Sequence, residues 1–190
     1  MDAVIEKTLK NYTLAFIVIW LGAILLTPEI NPFYTLVCVF LVHGWVYFVH
    51  RLLHLVPINT HIIYHHQKPP KTIERGLELF FEAITDTGMN LSLLGLQKLI
   101  GLTVVPTPVI LLFTLAYTSI HIVNYSLFGT VFHRRHHDTL DKNFAPDAMD
   151  HIVGTNYNDE FEDLNVTCLN VFGCMALLYP FYVNKNNLSI

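Results

Sequence analysis

Charge is scarce in this chain. Only 14% of its 190 residues are Asp, Glu, Lys or Arg, while 53% are hydrophobic; soluble domains usually carry roughly 25% charge. A soluble fold with that balance would leave much apolar surface in water, so lipid is expected to be part of the solvent. Cysteine is nearly missing too. Cys38, Cys168 and Cys174 stand in apolar surroundings without CxxC spacing, which excludes a disulfide framework and a cysteine-built zinc site. The formal net charge of -4 gives no basic excess, so no nucleic-acid partner is expected. Neither HExxH nor HxxEH occurs, which removes the zinc proteases. Internal repeats, low-complexity segments and sustained β-strand alternation are absent as well, leaving an all-α fold.

What is present is a series of long apolar runs. Tyr12–Thr27 follows Lys7 and Lys10 as a signal peptide would. It ends in Thr-Pro-Glu-Ile-Asn-Pro, however, not in a small-residue cleavage site, so a retained first membrane helix is expected. A second run, about residues 32–53, is long enough to span, since a membrane helix needs roughly 20 residues. Residues 76–100 and 106–123 read as a membrane hairpin, although Glu78, Glu82 and Asp86 interrupt its first half. Residues 164–183 form a last apolar segment, either a further span or a helix lying on the bilayer. The expectation is one membrane-embedded domain over residues 1–190: a bundle of about four transmembrane helices, with a fifth left open, under a histidine-rich cap. Pro57, Pro69 and Pro70 break the polar stretch after His54. Two hairpins place Arg51, Lys68, Lys71, Arg75, Arg134, Arg135 and Lys142 on one side of the membrane, so that side, with the histidines, is expected to face the cytosol.

The 11 histidines equal all lysines and arginines combined, and they cluster. His50 and His54 stand at i and i+4 at the end of the second run, on one helical face. His61, His65 and His66 offer another i, i+4 pair with an adjacent ring, and His133, His136 and His137 a third set. His121 closes the fourth run, with Asn124 nearly one turn on. One metal takes four to six ligands, so this many rings implies two metals. Neutral imidazole suits iron, zinc and copper and is cheaper to desolvate at a membrane edge than a carboxylate. A haem-binding electron carrier and a metal transporter are the non-oxygenase alternatives. The first needs single axial rings facing each other across the bundle; the second needs its polar groups near mid-membrane.

These groups resemble the fatty acid hydroxylase / sterol desaturase superfamily over about residues 43–157. Tyr47-Phe48-Val49-His50-Arg51-Leu52-Leu53-His54 is similar to its YWxHRxxH box. His61–His66 followed by Pro69-Pro70 resembles its HxxHH box, with three residues where the family has two between the first histidines. His133–His137 resembles the closing HxxHH box. Asn143-Phe144-Ala145 stands where the family tends to carry NYG, and Asp150-His151-Ile152-Val153-Gly154-Thr155 is similar to its WDxxFGT ending. His43 stands where the family commonly has aspartate.

The resemblance implies two iron ions, replaceable by zinc in a purified sample, that activate O2 to hydroxylate or desaturate a fatty acyl chain or sterol. It implies His50, His54, His61, His65, His66, His121, His133, His136 and His137 as metal ligands. His43, Asn124, His151 and Asp150 are candidates for a further ligand or a hydrogen-bonding partner of one. Asp150 is expected to offer its carboxylate to a ligand imidazole, whereas Asp138 and Asp141, which could do the same, read first as solvated loop charge. A separate electron donor such as cytochrome b5 or a reductase is implied, as is the endoplasmic reticulum membrane if the source is eukaryotic.

Overall fold

Proline, glycine and asparagine punctuate the apolar runs and set where each helix begins and ends. The computed structural model describes residues 3–56, 58–66, 74–157, 162 and 164–187, and all its elements are helical among these. Pro57, Lys68, Pro69, Pro70 and Lys71 lie outside the described residues. Helix α1 covers Ala3–Leu26 and α2 covers Pro32–Leu55. Between them the Asn31 side chain accepts from the Phe33 N–H at 2.8 Å. Pro32 takes the first turn, where a missing N–H costs nothing.

A single turn of π-helix, π1, follows at His61–His65. Helix α3 (Arg75–Ile100) ends at Gly101, whose φ of 68° is strained for any residue with a side chain. Its last turn is tied to the start of α4 (Thr107–Ile120) by the buried Gln97. That amide accepts from the Val104 and Val105 N–H groups at 2.9 and 2.6 Å and donates to the Val105 carbonyl at 3.0 Å. At His121 the α4 helix widens into a π-helical segment, π2 (His121–Leu127). Two short helices of the cap, α5 (Val131–Asp138) and α6 (Asp147–Val153), precede a 3-10 turn at Leu164–Thr167 and helix α7 (Cys168–Asn187).

The core gathers Ala23, Val39, Val42, Ile110, Leu112 and Val171 from α1, α2, α4 and α7. Gly22 lets these helices close up: a Cβ there would stand 2.6 Å from Met175 Sδ and 3.1 Å from Leu112 Cδ2. The outside is as apolar as the inside, with Leu21, Leu25, Phe40, Phe80, Leu99 and Phe172 all exposed. Such a surface belongs in hydrocarbon, not water.

Among the described residues, three helices are long and apolar enough to cross a membrane: Pro32–Leu55, Thr107–Leu127 and Leu164–Tyr182. The C-terminal segment left open by sequence is thus one of the three, packed against α1 and α4. The apolar part of α1, Lys10–Leu26, is shorter. Helix α3 falls outside the three because it carries Glu78, Glu82 and Asp86. All three carboxylates are buried on its inward stripe, which continues through Met89, Asn90, Leu93 and Gln97.

Gln97→Leu keeps the volume but leaves the buried Val105 N–H and C=O without their partners. It should cost about 1–3 kcal/mol, read as a lower thermal unfolding midpoint in detergent; an unchanged midpoint would show that the turn is held by something else.

Candidate metal centre

The cap brings the histidines together because helix ends and π-turns aim them inward. His50 and His54 lie one turn apart on α2, the first buried and the second half-buried. In π1 the His66 N–H donates to the His61 carbonyl at 3.2 Å, an i to i+5 bond. That wider turn puts His61 and His66, not His61 and His65, on a common face. The extra residue in the second histidine group is absorbed by the π-turn, which corrects the expected i, i+4 pairing. On α5, capped by the Thr130 hydroxyl accepting from the His133 N–H at 3.2 Å, His133 and His137 share one face and His136 points elsewhere.

Two adjoining groups result. The first is His50, His54, His61, His66 and His136, with one ligand nitrogen from each within 4.8 Å of the others. His61 Nε2 has three neighbours: His50 Nε2 at 2.9 Å, His54 Nε2 at 3.0 Å and His66 Nε2 at 3.1 Å. A neutral imidazole has one N–H and one lone pair, so hydrogen bonds cannot satisfy that crowd. A cation can, since nitrogens bonded to one ion at ~2.1 Å and near right angles lie ~3 Å apart. His136 supplies the second test. Its Nδ1 donates to the Lys142 carbonyl at 2.6 Å, which leaves Nε2 as a buried lone pair without a partner.

The second group is His65, His133 and His137, joined through His65 by His121 and Glu82. His137 Nε2 stands 3.1 Å from His65 Nε2 and 3.0 Å from His133 Nε2. The groups meet where the His66 and His137 rings stack, 4.4 Å between centroids. The nine rings form one linked network, not the single axial rings facing each other across the bundle that the haem alternative requires.

Carboxylates back the second group, and they come from α3. His121 Nδ1 lies 2.6 Å from Asp86 Oδ2 and 3.7 Å from Glu82 Oε1, and His65 Nδ1 lies 3.4 Å from Glu82 Oε2. Glu82 also accepts from the Ser126 hydroxyl. The short Asp86 contact fixes which nitrogen of His121 keeps a lone pair for a metal, while Glu82 stands near His65 without a hydrogen bond to it. Burial first, and then the neighbouring rings, push His61, His65, His66, His133 and His136 well below the ordinary imidazole value. These cap rings are therefore neutral, the form that ligates.

The carboxylates named from sequence play other parts. Asp150 touches no imidazole. It accepts from the Phe144 and Ala145 N–H groups at 2.9 and 2.7 Å and from the Thr155 hydroxyl at 2.7 Å. It thereby holds the loop whose Lys142 carbonyl fixes His136 and whose Phe144 ring lies 5.2 Å from that of His54. Asp138 and Asp141 are exposed. His151 faces Asp147 at 3.4 Å on α6, the Asn124 side-chain oxygen is buried without a hydrogen-bond partner among the described residues, and His43 lies deeper in the bundle with Nδ1 on the Val39 carbonyl at 2.8 Å. Sequence reasoning missed Glu82 and Asp86 as functional residues, though ionisable groups at i, i+4 spacing inside an apolar run are the signal that finds them.

An all-helical bundle with apolar outer faces and two groups of neutral imidazoles at one rim defines a membrane protein built to hold metal. Residues 35–155 match the family model described as fatty acid hydroxylase. That is more than half of the chain, and the chain belongs to the fatty acid hydroxylase family, an oxidoreductase family. No curated protein and no solved structure matches it.

Asp86→Asn keeps the shape but removes the charge behind His121. Metal at the second group should then be stripped by a chelator at concentrations roughly 10–100-fold lower, with the first group retaining its ion. Equal loss from both groups, or no change, would contradict this division.

Proposed function

We propose that this chain is an O2-dependent di-iron oxygenase that hydroxylates or desaturates a membrane lipid. The observation that carries the reading is the convergence of nine imidazoles into two adjoining groups, with the outer nitrogens of His121 and His136 tied to Asp86 and the Lys142 carbonyl. One iron would be held by His50, His54, His61, His66 and His136, the other by His65, His121, His133 and His137. Bound iron supplies, from O2 and electrons, the oxidising power to break an unactivated C–H bond.

The remaining work falls to the chain itself. A cavity of about 100 Å³, with a predominantly apolar lining, runs among α1, α2, α4 and α7 and reaches His121 and Tyr125 at the second group. It binds a lipid chain against the metal centre. Tyr125, stacked on His133 with centroids 5.1 Å apart, and Phe144, beside His50, His54 and His136, close apolar walls around the ligands and keep water away. Exposed Arg51, Arg75, Arg134 and Arg135 rim the cap. They hold it at the cytosolic surface, in the endoplasmic reticulum if the cell is eukaryotic, where a separate donor such as cytochrome b5 or a reductase delivers electrons.

Lipid profiles of cells expressing the wild-type chain and His136→Ala should differ by a product sixteen mass units heavier, or two lighter, than its precursor. Identical profiles with both proteins expressed and metal-loaded would refute the activity. For orientation, Arg134→Cys should react with a membrane-impermeant maleimide from the cytosolic side only, over a low background, because Cys38, Cys168 and Cys174 are buried; labelling only from the other side would invert the topology.

A further inference from the structure

We propose that His43 selects the lipid: its Nε2 accepts a hydrogen bond from a hydroxyl group on a single unbranched chain that fills the cavity and reaches towards His121. The ring's other nitrogen fixes its tautomer. His43 Nδ1 lies 2.8 Å from the Val39 carbonyl, which can only accept, so Nδ1 carries the proton. The ring sits within a membrane-spanning helix, where a charge is costly, and a neutral imidazole with Nδ1–H has a lone pair on Nε2. No donor among the described residues reaches that nitrogen. The ring's neighbours are the edge of Phe113, 4.4 Å between centroids, and Phe16 at 5.7 Å.

His43, Phe16 and Phe113 line the same cavity as His121 and Tyr125. Along α4 the lining residues Phe113, Ala116, Tyr117, Ile120 and His121 recur every three or four positions, one helical face ~12 Å long. At about 100 Å³ the space is smaller than the ~150 Å³ apolar cavity that accepts benzene. Part of a single chain fits such a space, the remainder leaving through the cavity's open side, and a fused ring system does not.

Chemistry then chooses among single-chain lipids. An acceptor enclosed by apolar walls is penalised unless a donor meets it. A hydrocarbon end offers no donor, and an ionised carboxylate offers only further lone pairs. A hydroxyl satisfies the nitrogen, and a site built to bond a hydroxyl discriminates against the analogue that lacks it. His43 is about 10 Å, two helical turns, from His50, so the bonded hydroxyl stays clear of the metal groups while the chain passes along α4 to the second.

What happens to the chain at His121 rests on the oxygenase reading, but binding does not, so the test uses the protein as purified, kept anaerobic to prevent turnover, in lipid nanodiscs. Binding of 1-dodecanol and of dodecyl methyl ether is measured by equilibrium dialysis, corrected against empty nanodiscs; the ether keeps the oxygen but cannot donate. The wild type should prefer the alcohol about tenfold. His43→Phe should lose that preference while still binding the ether, and His43→Gln, which restores an acceptor, should recover part of it. Equal binding of the two probes by the wild type, or a preference that survives in His43→Phe, overturns the proposal; the wild-type comparison decides even if a variant fails to fold. A tenfold preference in a protein that forms no oxidised product would instead leave His43 as assigned and remove the oxygenase activity.

Discussion

Lone pairs that point at one another repel, and this structure is organised around two places where many of them do. His61 Nε2 faces three other imidazole nitrogens at about hydrogen-bond distance, a geometry that neutral rings cannot satisfy among themselves and that a cation would. Every supporting feature of the cap serves to hold rings in that unfavourable arrangement. Asp86 takes the outer nitrogen of His121, the Lys142 carbonyl takes that of His136, and Glu82 places its charge beside His65 and His121. The loop bearing Lys142 is in turn pinned by Asp150, which also bonds Thr155, itself in contact with the Tyr47 hydroxyl on α2.

The membrane explains why the support comes from so few charges. In hydrocarbon a carboxylate is tolerated only when turned inward and paired. Helix α3 does this with one stripe: Glu78 pairs with Arg75 at 2.8 Å at its entrance, Glu82 and Asp86 face the imidazoles, and uncharged positions, Met89, Asn90, Leu93 and Gln97, take over beyond them. Its opposite face, with Leu77, Phe80 and Ile84, remains exposed and apolar. The same helix therefore serves lipid and metal site at once.

Much of this was legible in the sequence, and the reasons it was or was not are physical. The α-helical i, i+4 rule grouped His50 with His54 and His133 with His137, because those pairs lie on regular helix. It failed for His61 because an HxxxH spacing reads alike in an α- and a π-helix until the backbone is seen. Glu82 and Asp86 looked like faults in an apolar run, since only the packing of α3 against π1 and α4 shows what they face. The hold on His136 was beyond reach: a backbone carbonyl is offered by every residue, so nothing about Lys142 marks it. Asp150 drew notice through its motif, but its carboxylate organises a loop whose Asn143 and Ala145 have positive φ values of 54° and 57°, not an imidazole.

Two separate ion sites underlie everything the cap does, and metal stoichiometry tests them most directly. Purified protein loaded with iron and measured by plasma mass spectrometry should hold two ions per chain. The paired change His50→Ala with His54→Ala, and separately His133→Ala with His137→Ala, should each leave one. One ion in the wild type, or either pair stripping both groups or neither while the protein remains folded, would contradict it.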